Sequence, residues 1–261
     1  MKVDIRIEAA KYYDSNPGFL NDIPFYQKLI PSPDVSILEL GCGTGRVILP
    51  LVPCCKYIHG VDRSAAMLDI CRGKLAKAGI SQMKARVEEG DISDFNLGRT
   101  FDLIIAPFRV LQNLETDGEV DGLFRCIHRH LAPKGTCILN VFRPYLEPEA
   151  LRKQWFSTEE NLSWEVPVEG GRVVCYDRRA RMDVEKLILY PELIYRRYEG
   201  ETLAEESLLK IVMRCYYPDR FEKLILEHGF IILDRWGGYE GEVYGQGPEL
   251  VIQFREGSNA S

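Results

Sequence analysis

Three alternating glycines constrain the fold of this sequence more than any other feature. Gly41, Gly43 and Gly45 follow an apolar, strand-like run at Ser36–Leu40 and precede a segment with helical spacing that reaches about Leu51. Glycine tolerates positive φ angles and has no Cβ, so the backbone can turn sharply there and approach a ligand closely. Free N–H groups at the start of the next helix can also bind a ligand. The run therefore predicts a strand, a tight turn with a binding site, and a helix.

The residues that follow repeat this alternation of strand and helix. Ser64 is a predicted N-cap, and Thr116 with Glu119 forms a predicted capping box, so each begins a helix. The predicted strands are Ser36–Leu40, Tyr57–Val61, Arg86–Glu88, Phe101–Ala106 and Thr136–Phe142. Strands joined by crossover helices form parallel β-α-β units. The sequence thus predicts an α/β fold with a doubly wound, mostly parallel sheet.

The pattern changes after Pro144. Residues 162–217 contain several period-2 segments, among them 187–190 and 193–198, and no clear helix, which is typical of antiparallel strands. Aromatic residues are frequent in this segment. We predict an inserted antiparallel β lid that covers an apolar ligand, and a dimerisation surface of a homodimer is the alternative.

The parallel fold is predicted to resume after the insertion. A helix is expected near residues 220–228, followed by two last strands at Phe230–Asp234 and Glu249–Phe254 that form an antiparallel pair. The predicted domains are therefore residues 1–143 with 218–255 for the core and residues 144–217 for the insertion.

Composition excludes several classes of protein. Of the 261 residues, 46% are hydrophobic, so the chain can bury a large core without disulfide or metal staples. No apolar run approaches the roughly 18–20 residues that cross a bilayer, and the first six residues show no secretory leader, so we expect a cytoplasmic protein without a membrane partner. The 39 acidic residues exceed the 33 basic ones, which disfavours nucleic acid as a partner. The eight cysteines form no C-x-x-C pair and the four histidines are scattered, so no metal site is predicted.

The spacing of the glycines distinguishes between nucleotide cofactors. Residues 39–46 read E-x-G-x-G-x-G-R, whereas the dinucleotide fingerprint G-x-G-x-x-G needs a third glycine where Arg46 stands. A nucleotide-linked oxidoreductase is therefore disfavoured, although it stays an alternative.

The glycine motif resembles that of class I S-adenosylmethionine-dependent methyltransferases of the small-molecule type. The likeness extends to Asp62, which closes the second strand 21 residues after Gly41, and to Asp91, which follows the third strand. Phe101–Ala106 resembles the fourth strand of the family, and Leu131–Gly135 resembles the turn before its fifth strand. The ordered series of motifs, rather than the glycine run alone, carries the resemblance.

The resemblance covers residues 12–143 and 218–255. It implies a Rossmann-like, seven-stranded sheet with a terminal antiparallel strand, and S-adenosyl-L-methionine as the cofactor. In the family, the carboxylate at Asp62 binds the ribose hydroxyls and the one at Asp91 contacts the adenine amino group. The other residues predicted to bind the cofactor are Tyr13, Glu39, Gly41, Gly43, Arg46, Arg63, Met67, Ile92 and Pro107.

Structural roles remain open for several of these residues. Asp62 can cap the helix that follows it, and Asp91 can be a turn residue. Met67 suits a core position in either case, and Arg46 can pack its stem on the surface instead of binding a cofactor carboxylate. Tyr13 is the predicted ligand of the methionyl carboxylate, with packing against the sheet edge as the alternative.

The predicted acceptor site lies in the loop at residues 107–114, because ligands bind beyond the carboxyl ends of strands in open α/β folds. This loop lacks the Asn/Asp-Pro-Pro-Tyr/Phe signature of enzymes that methylate nucleobase amines, so we expect a small-molecule acceptor. The residues predicted to bind the acceptor are Arg109, Gln112, Asn113 and Tyr239. No general base is evident, which favours N- over O-methylation. A non-catalytic S-adenosylmethionine-binding protein is the remaining alternative.

Overall fold

The computed structural model describes residues 10–18 and 21–257. The chain divides into two compact units. Within the described residues, the inserted unit comprises 10–18 and 146–215, and the core unit comprises 21–145 and 216–257. The predicted core domain includes the N-terminal residues, whereas residues 10–18 group with the insertion. The first six residues, on which the expectation about a secretory leader rests, lie outside the described part.

Helices and strands are numbered in chain order over the described residues. The strands are β1 (Ser36–Leu40), β2 (Tyr57–Asp62), β3 (Ala85–Glu89), β4 (Phe101–Ala106), β5 (Leu131–Phe142), β6 (Ser157–Val168), β7 (Gly171–Asp183), β8 (Ile188–Glu199), β9 (Thr202–Lys210), β10 (Met213–Arg214), β11 (Phe230–Trp236) and β12 (Glu249–Glu256). The helices are α1 (Ala10–Tyr13), α2 (Ile23–Leu29), α3 (Ile48–Leu51), α4 (Ala65–Lys77), α5 (Asp117–His130), α6 (Pro148–Gln154) and α7 (Pro218–Glu227).

The core unit contains a seven-stranded sheet in the order β11-β12-β5-β4-β1-β2-β3. Strands β1 to β5 pair in parallel, and β12 pairs antiparallel with both β5 and β11. The predicted fold class, a doubly wound and mostly parallel sheet with a terminal antiparallel strand, is confirmed. Because the parallel strands share one direction, the residues that follow β1, β2, β3 and β4 all lie at the carboxyl ends of the strands, on the same side of the sheet.

Apolar side chains cover both faces of this sheet. Phe124 of α5 and Phe221 of α7 belong to the buried cluster on one face, and Tyr26 of α2 and Leu68 of α4 belong to the cluster on the other. The predicted capping box at Thr116 is present at the start of α5 and fixes where that helix begins.

The helix expected after the glycine turn is shorter than predicted. It consists of the four residues of α3, followed by a 3-10 turn at Val52–Cys54. Pro50 and Pro53 lack the N–H groups that a regular helix would need there. The glycine turn is therefore followed by a single helical turn rather than by a regular helix.

The inserted unit contains an antiparallel sheet in the order β10-β8-β7-β6, with β9 also paired to β8. The two strands predicted at residues 187–190 and 193–198 form the single strand β8, which passes through Pro191. This proline is tolerated because β8 changes partner there, from β10 to β9, and because the register of β7 shifts opposite it. Helix α6, which the sequence analysis did not predict, precedes β6.

Candidate functional site

The glycine turn lies between β1 and α3, and all three glycines have left-handed φ angles, from +51° to +79°. A Cβ at Gly41 would lie 2.6 Å from Cγ2 of Val110, and one at Gly45 would lie 2.5 Å from Sγ of Cys71. At Gly43, no atom of the described residues lies within 4 Å of such a Cβ, apart from Gly43 itself and its two chain neighbours. Internal packing therefore accounts for Gly41 and Gly45, and Gly43 is the glycine that borders open space.

Asp62 connects this turn to the end of β2 and to helix α4. Its buried carboxylate accepts hydrogen bonds from the N–H groups of Gly43 (2.8 Å, to Oδ2) and Ser64 (2.9 Å, to Oδ1). Ser64 itself caps α4, because its hydroxyl accepts a hydrogen bond from the N–H of Met67. A carboxylate has about four acceptor positions, so Asp62 can accept further hydrogen bonds from a ligand. The ribose contact of Asp62 stays a prediction.

Asp91 forms a local turn after β3. Its Oδ1 accepts hydrogen bonds from the N–H and the hydroxyl of Ser93, at 2.9 and 2.6 Å. The main-chain oxygen of Asp62 accepts a hydrogen bond from Gly90, which holds this turn beside the end of β2. The turn role of Asp91 is thus present, and the predicted adenine contacts of Asp91 and Ile92 are not tested by it.

Glu39 is a buried carboxyl group on β1, with 2% of its surface exposed. Its Oε2 has no hydrogen-bond partner among the described residues. Burial raises the pKa of Glu39 well above its ordinary value. Arg46 lowers this pKa, whereas Asp22 and Asp62 raise it further. A buried acceptor without a partner costs free energy, which the N–H donors of a cationic ligand can recover.

Arg46 makes a bidentate ion pair with Asp22, a residue that was not predicted from the sequence. Nη1 and Nη2 of Arg46 lie 2.6 and 2.8 Å from the two carboxylate oxygens of Asp22, which is fully buried. The guanidinium carbon also lies 5.3 Å from the centre of the Phe108 ring. Arg46 is therefore held in place inside the site. Its predicted contact with the cofactor is not tested by this arrangement.

The loop that follows β4 begins with the buried Pro107 and continues into a 3-10 turn at Val110–Asn113. Oε1 of Gln112 accepts a hydrogen bond from the N–H of Phe142 at 2.8 Å. Nδ2 of Asn113 donates to the main-chain oxygen of Arg109 at 3.1 Å. Both amides, predicted to bind the acceptor, therefore also fix the shape of the loop.

The other predicted site residues occupy three kinds of position. The ring of Tyr239, in the connection between β11 and β12, lies 5.3 Å from Phe25, and burial raises the pKa of its phenol well above the ordinary value. Met67 is buried on α4, and Arg63 is exposed just after β2. Tyr13 lies in α1 of the inserted unit, so its predicted role is not tested by the geometry of the core unit.

The described residues contain no group of three side chains able to hold a metal ion. Within the same part of the chain, no helix is long and apolar enough to cross a membrane. The candidate site thus consists of a glycine turn bordered by carboxylates, one held arginine and a loop with the buried amide of Gln112 and the half-buried amide of Asn113.

Comparison with known proteins agrees with this geometry. Residues 37–135 match the methyltransferase domain family. A dTDP-3-amino-3,6-dideoxy-alpha-D-glucopyranose N,N-dimethyltransferase from Streptomyces fradiae is 29% identical over 114 residues, which are 44% of this chain and 41% of that protein. A malonyl-(acyl-carrier protein) O-methyltransferase from Priestia megaterium is 30% identical over 115 residues, 42% of this chain and 37% of that protein. The matched region thus spans less than half of either relative.

A solved structure extends the comparison to the whole fold. The CcbJ methyltransferase from Streptomyces caelestis aligns over 97% of both chains with a TM-score of 0.76 and 22% identity. At this level of identity the likeness shows a shared fold. The family match and the fold together confirm the resemblance that the glycine motif indicated, to a family whose cofactor is S-adenosylmethionine.

Proposed function

Because residues 37–135 form a class I S-adenosylmethionine-dependent methyltransferase domain, we propose that this protein methylates a nitrogen atom of a small molecule. The observation that carries the proposal is the open space at Gly43, whose N–H is bound by Asp62. The buried Oε2 of Glu39, which lacks a partner among the described residues, lies on the strand that leads into the same turn.

The charges of the turn suit this cofactor. S-adenosylmethionine carries a sulfonium and an ammonium group, and it supplies an electrophilic methyl group when bound. The charges of Asp22, Asp62 and Arg46 all act on the buried Glu39, so that the turn brings together three carboxyl groups and one arginine. Asp62 would accept hydrogen bonds from the ribose hydroxyls, and Glu39 would accept one from the ammonium group. Gly43 would leave room for the methionyl part.

Methyl transfer to a neutral amine needs no general base, so it requires fewer catalytic groups from this protein than transfer to a hydroxyl group. The lone pair of a neutral amine forms the new bond to the methyl carbon while the bond from that carbon to sulfur breaks, and the amine proton then passes to water. Orientation alone can contribute about 7–11 kcal/mol to such a step. The amides of Gln112 and Asn113 can orient an acceptor but cannot deprotonate a hydroxyl group. The amino-sugar substrate named for the Streptomyces fradiae relative supports a nitrogen acceptor.

The insertion at residues 144–217 is proposed to select the acceptor, with the contact of a homodimer as the alternative. Its support is an apolar cluster in the inserted unit, where the rings of Tyr12 and Trp164 lie 6.1 and 5.9 Å from that of Tyr195. Trp164→Ala should raise the KM for the acceptor if the cluster contacts it. A change from dimer to monomer in light scattering, with unchanged kinetics, would favour the alternative.

Calorimetric titration tests the cofactor assignment directly. S-adenosylhomocysteine should bind the purified protein, and NAD should not. Gly43→Val should reduce that binding to below detection, because the new side chain fills the open space. Gly79→Val is the matched control: Gly79 also has a positive φ and open surroundings among the described residues, but it follows α4. Equal effects of the two substitutions on binding would contradict the proposal.

Methyl transfer itself is tested with isotope-labelled S-adenosylmethionine and a panel of small amines, amino sugars and hydroxy compounds. We expect label on a nitrogen atom, located by nuclear magnetic resonance. Label on oxygen would retain the methyltransferase and reject the nitrogen acceptor. Binding of the cofactor without transfer to any class of acceptor would favour a non-catalytic role.

A further inference from the structure

The loop after β4 contains two successive residues in a conformation that is unfavourable for their type. Phe108 has a φ of +55° and Arg109 a φ of +69°, and neither is glycine. Such residues persist only where the surrounding structure enforces the conformation, and they are frequent at functional sites. The contacts that hold this loop therefore indicate what the site depends on.

Two buried polar side chains hold Arg109. Its N–H donates to Oδ1 of Asn140 on β5 at 2.9 Å, and its guanidinium group binds both carboxylate oxygens of Glu249 through Nε and Nη2. Nδ2 of Asn140 donates to Oε2 of Glu249 at 2.8 Å. Asn140 is fully buried and Glu249 is 1% exposed. Backbone and side chain of Arg109 are thus fixed by the same group of residues.

The carboxylate of Glu249 is the centre of this arrangement. Its two side-chain oxygens accept hydrogen bonds from Arg109 and Asn140. A carboxylate suits this place because both of its oxygens are acceptors. A glutamine would turn one oxygen into a donor facing these donors. The first residue of β12 therefore has to be an acid for the loop to keep this shape.

The loop reaches the cofactor turn directly. The side chain of Val110 occupies the space that a Cβ of Gly41 would need, and the ring of Phe108 faces the guanidinium group of Arg46. A change in the backbone at Arg109 would displace both contacts. The conformation at this one residue is therefore coupled to the shape of the glycine turn.

We propose that Glu249 is a positioning residue for methyl transfer. Through Arg109 it keeps Phe108 and Arg109 in their left-handed conformation, and the loop in turn fixes the cofactor side of the site. This inference rests on the proposed function. It also gives Arg109 a role as an anchor, in place of the acceptor contact expected from the sequence.

The test compares the affinity for S-adenosylhomocysteine among variants of the full chain. Glu249→Gln should weaken binding by at least about tenfold, as expected when charge-assisted hydrogen bonds are lost. Phe254→Leu is the control, because it alters a fully buried residue of the same strand, remote from the loop. This control should lower the unfolding temperature and leave the affinity unchanged.

A rescue experiment separates positioning from general damage. Glycine adopts a positive φ without strain, so Arg109→Gly combined with Glu249→Gln should restore affinity to near the wild-type value. An affinity of the double variant as low as that of Glu249→Gln alone would overturn the proposal, as would an unchanged affinity in the single variant. If Glu249→Gln does not fold, the double variant decides by the same comparison with wild type. Failure of the wild-type protein to bind would instead reject the proposed function.

Discussion

The two most deeply buried ion pairs of the core unit differ in environment from the ion pairs of the inserted unit. In the core unit, Asp22 and Glu249 are buried carboxylates, each bound by one arginine at the cofactor turn or at the loop beside it. In the inserted unit, Arg196 of β8 binds Glu206 on the neighbouring strand β9 and Glu160 on β6, which lies beyond β7, and all three side chains are accessible to water. The same chemical pair thus occurs as a fixed internal feature in one sheet and as a surface ladder in the other.

This difference indicates where function resides. Burying an ion pair removes two charges from water and is seldom the most stable choice for a core, so buried pairs need another reason to be present. Exposed pairs cost little and contribute little, usually below about 1 kcal/mol each. The buried pairs of the core unit lie at the proposed cofactor and acceptor site. The exposed pairs of the inserted unit are consistent with a solvated sheet face.

The largest loss of stability is expected when the ion pair between Asp22 and Arg46 is broken. Asp22→Ala removes the buried carboxylate that the largely buried guanidinium group of Arg46 binds, and breaking such a pair costs about 3–5 kcal/mol. Trp236 is the single tryptophan of the core unit, so urea denaturation in a Trp155→Phe, Trp164→Phe background reports on this unit. A loss below 1 kcal/mol would remove the contrast between the two sheets.

A buried histidine of the core unit, His59, should make the stability of this unit depend on pH. Burial, together with Arg86 and Arg99, lowers the pKa of His59 from 6.5 to about 4, and its Nδ1 lies 3.0 Å from the Tyr57 hydroxyl. Between these pKa values the unfolded chain binds a proton that the folded chain does not, so stability falls as the pH is lowered. The expected contribution is about 3 kcal/mol between pH 7 and pH 4.

Denaturation of wild type and His59→Gln at several pH values isolates this contribution. The stability of wild type relative to the variant should decrease by about that amount as the pH falls through this range. A difference that does not vary with pH would show that His59 is not held in its neutral form by the fold.

Substitution of Asp62 should have a smaller effect, which is confined to the affinity for the cofactor. Asp62→Ala is expected to weaken binding of S-adenosylhomocysteine by about 1.5–3 kcal/mol, the range for hydrogen bonds to a charged group. Calorimetry measures this directly. Asp91→Ala, which disrupts the turn with Ser93, is the comparison and should cost less. Unchanged affinity in Asp62→Ala would leave Asp62 only its structural role between Gly43 and Ser64.

Much of the fold could be predicted from local patterns. The bounds of β1 and β4 agree with the sequence analysis, because apolar runs bounded by turn residues specify buried strands. The course of β8 through Pro191 could not be predicted, since it depends on which strands lie beside that residue. Helix α6 has seven residues, too few for a clear helical period.

The candidate site divides in a similar way. The glycine turn and the acid at the end of β2 can be located from the order of strands and helices, so the proximity of Gly43 and Asp62 could be expected. Asp22, Asn140 and Glu249 were missed because their partners are distant in sequence: Arg109 and Glu249 are 140 residues apart. A sequence pattern shows that a charged residue stands in an apolar segment. It does not show which opposite charge the fold brings to it.

The smallest expected effect tests the exposed half of the comparison. Glu206→Gln removes one partner of Arg196, whose guanidinium group still binds Glu160 at 2.7 Å on the strand beyond. Because Glu206 is half exposed, we expect a loss of at most about 1 kcal/mol, reduced further by salt. The measurement is urea denaturation in a Trp236→Phe background, in which Trp155 and Trp164 report on the inserted unit. A loss near that of Asp22→Ala would mean that this ladder is a cooperative network, and burial would then no longer explain the difference between the two sheets.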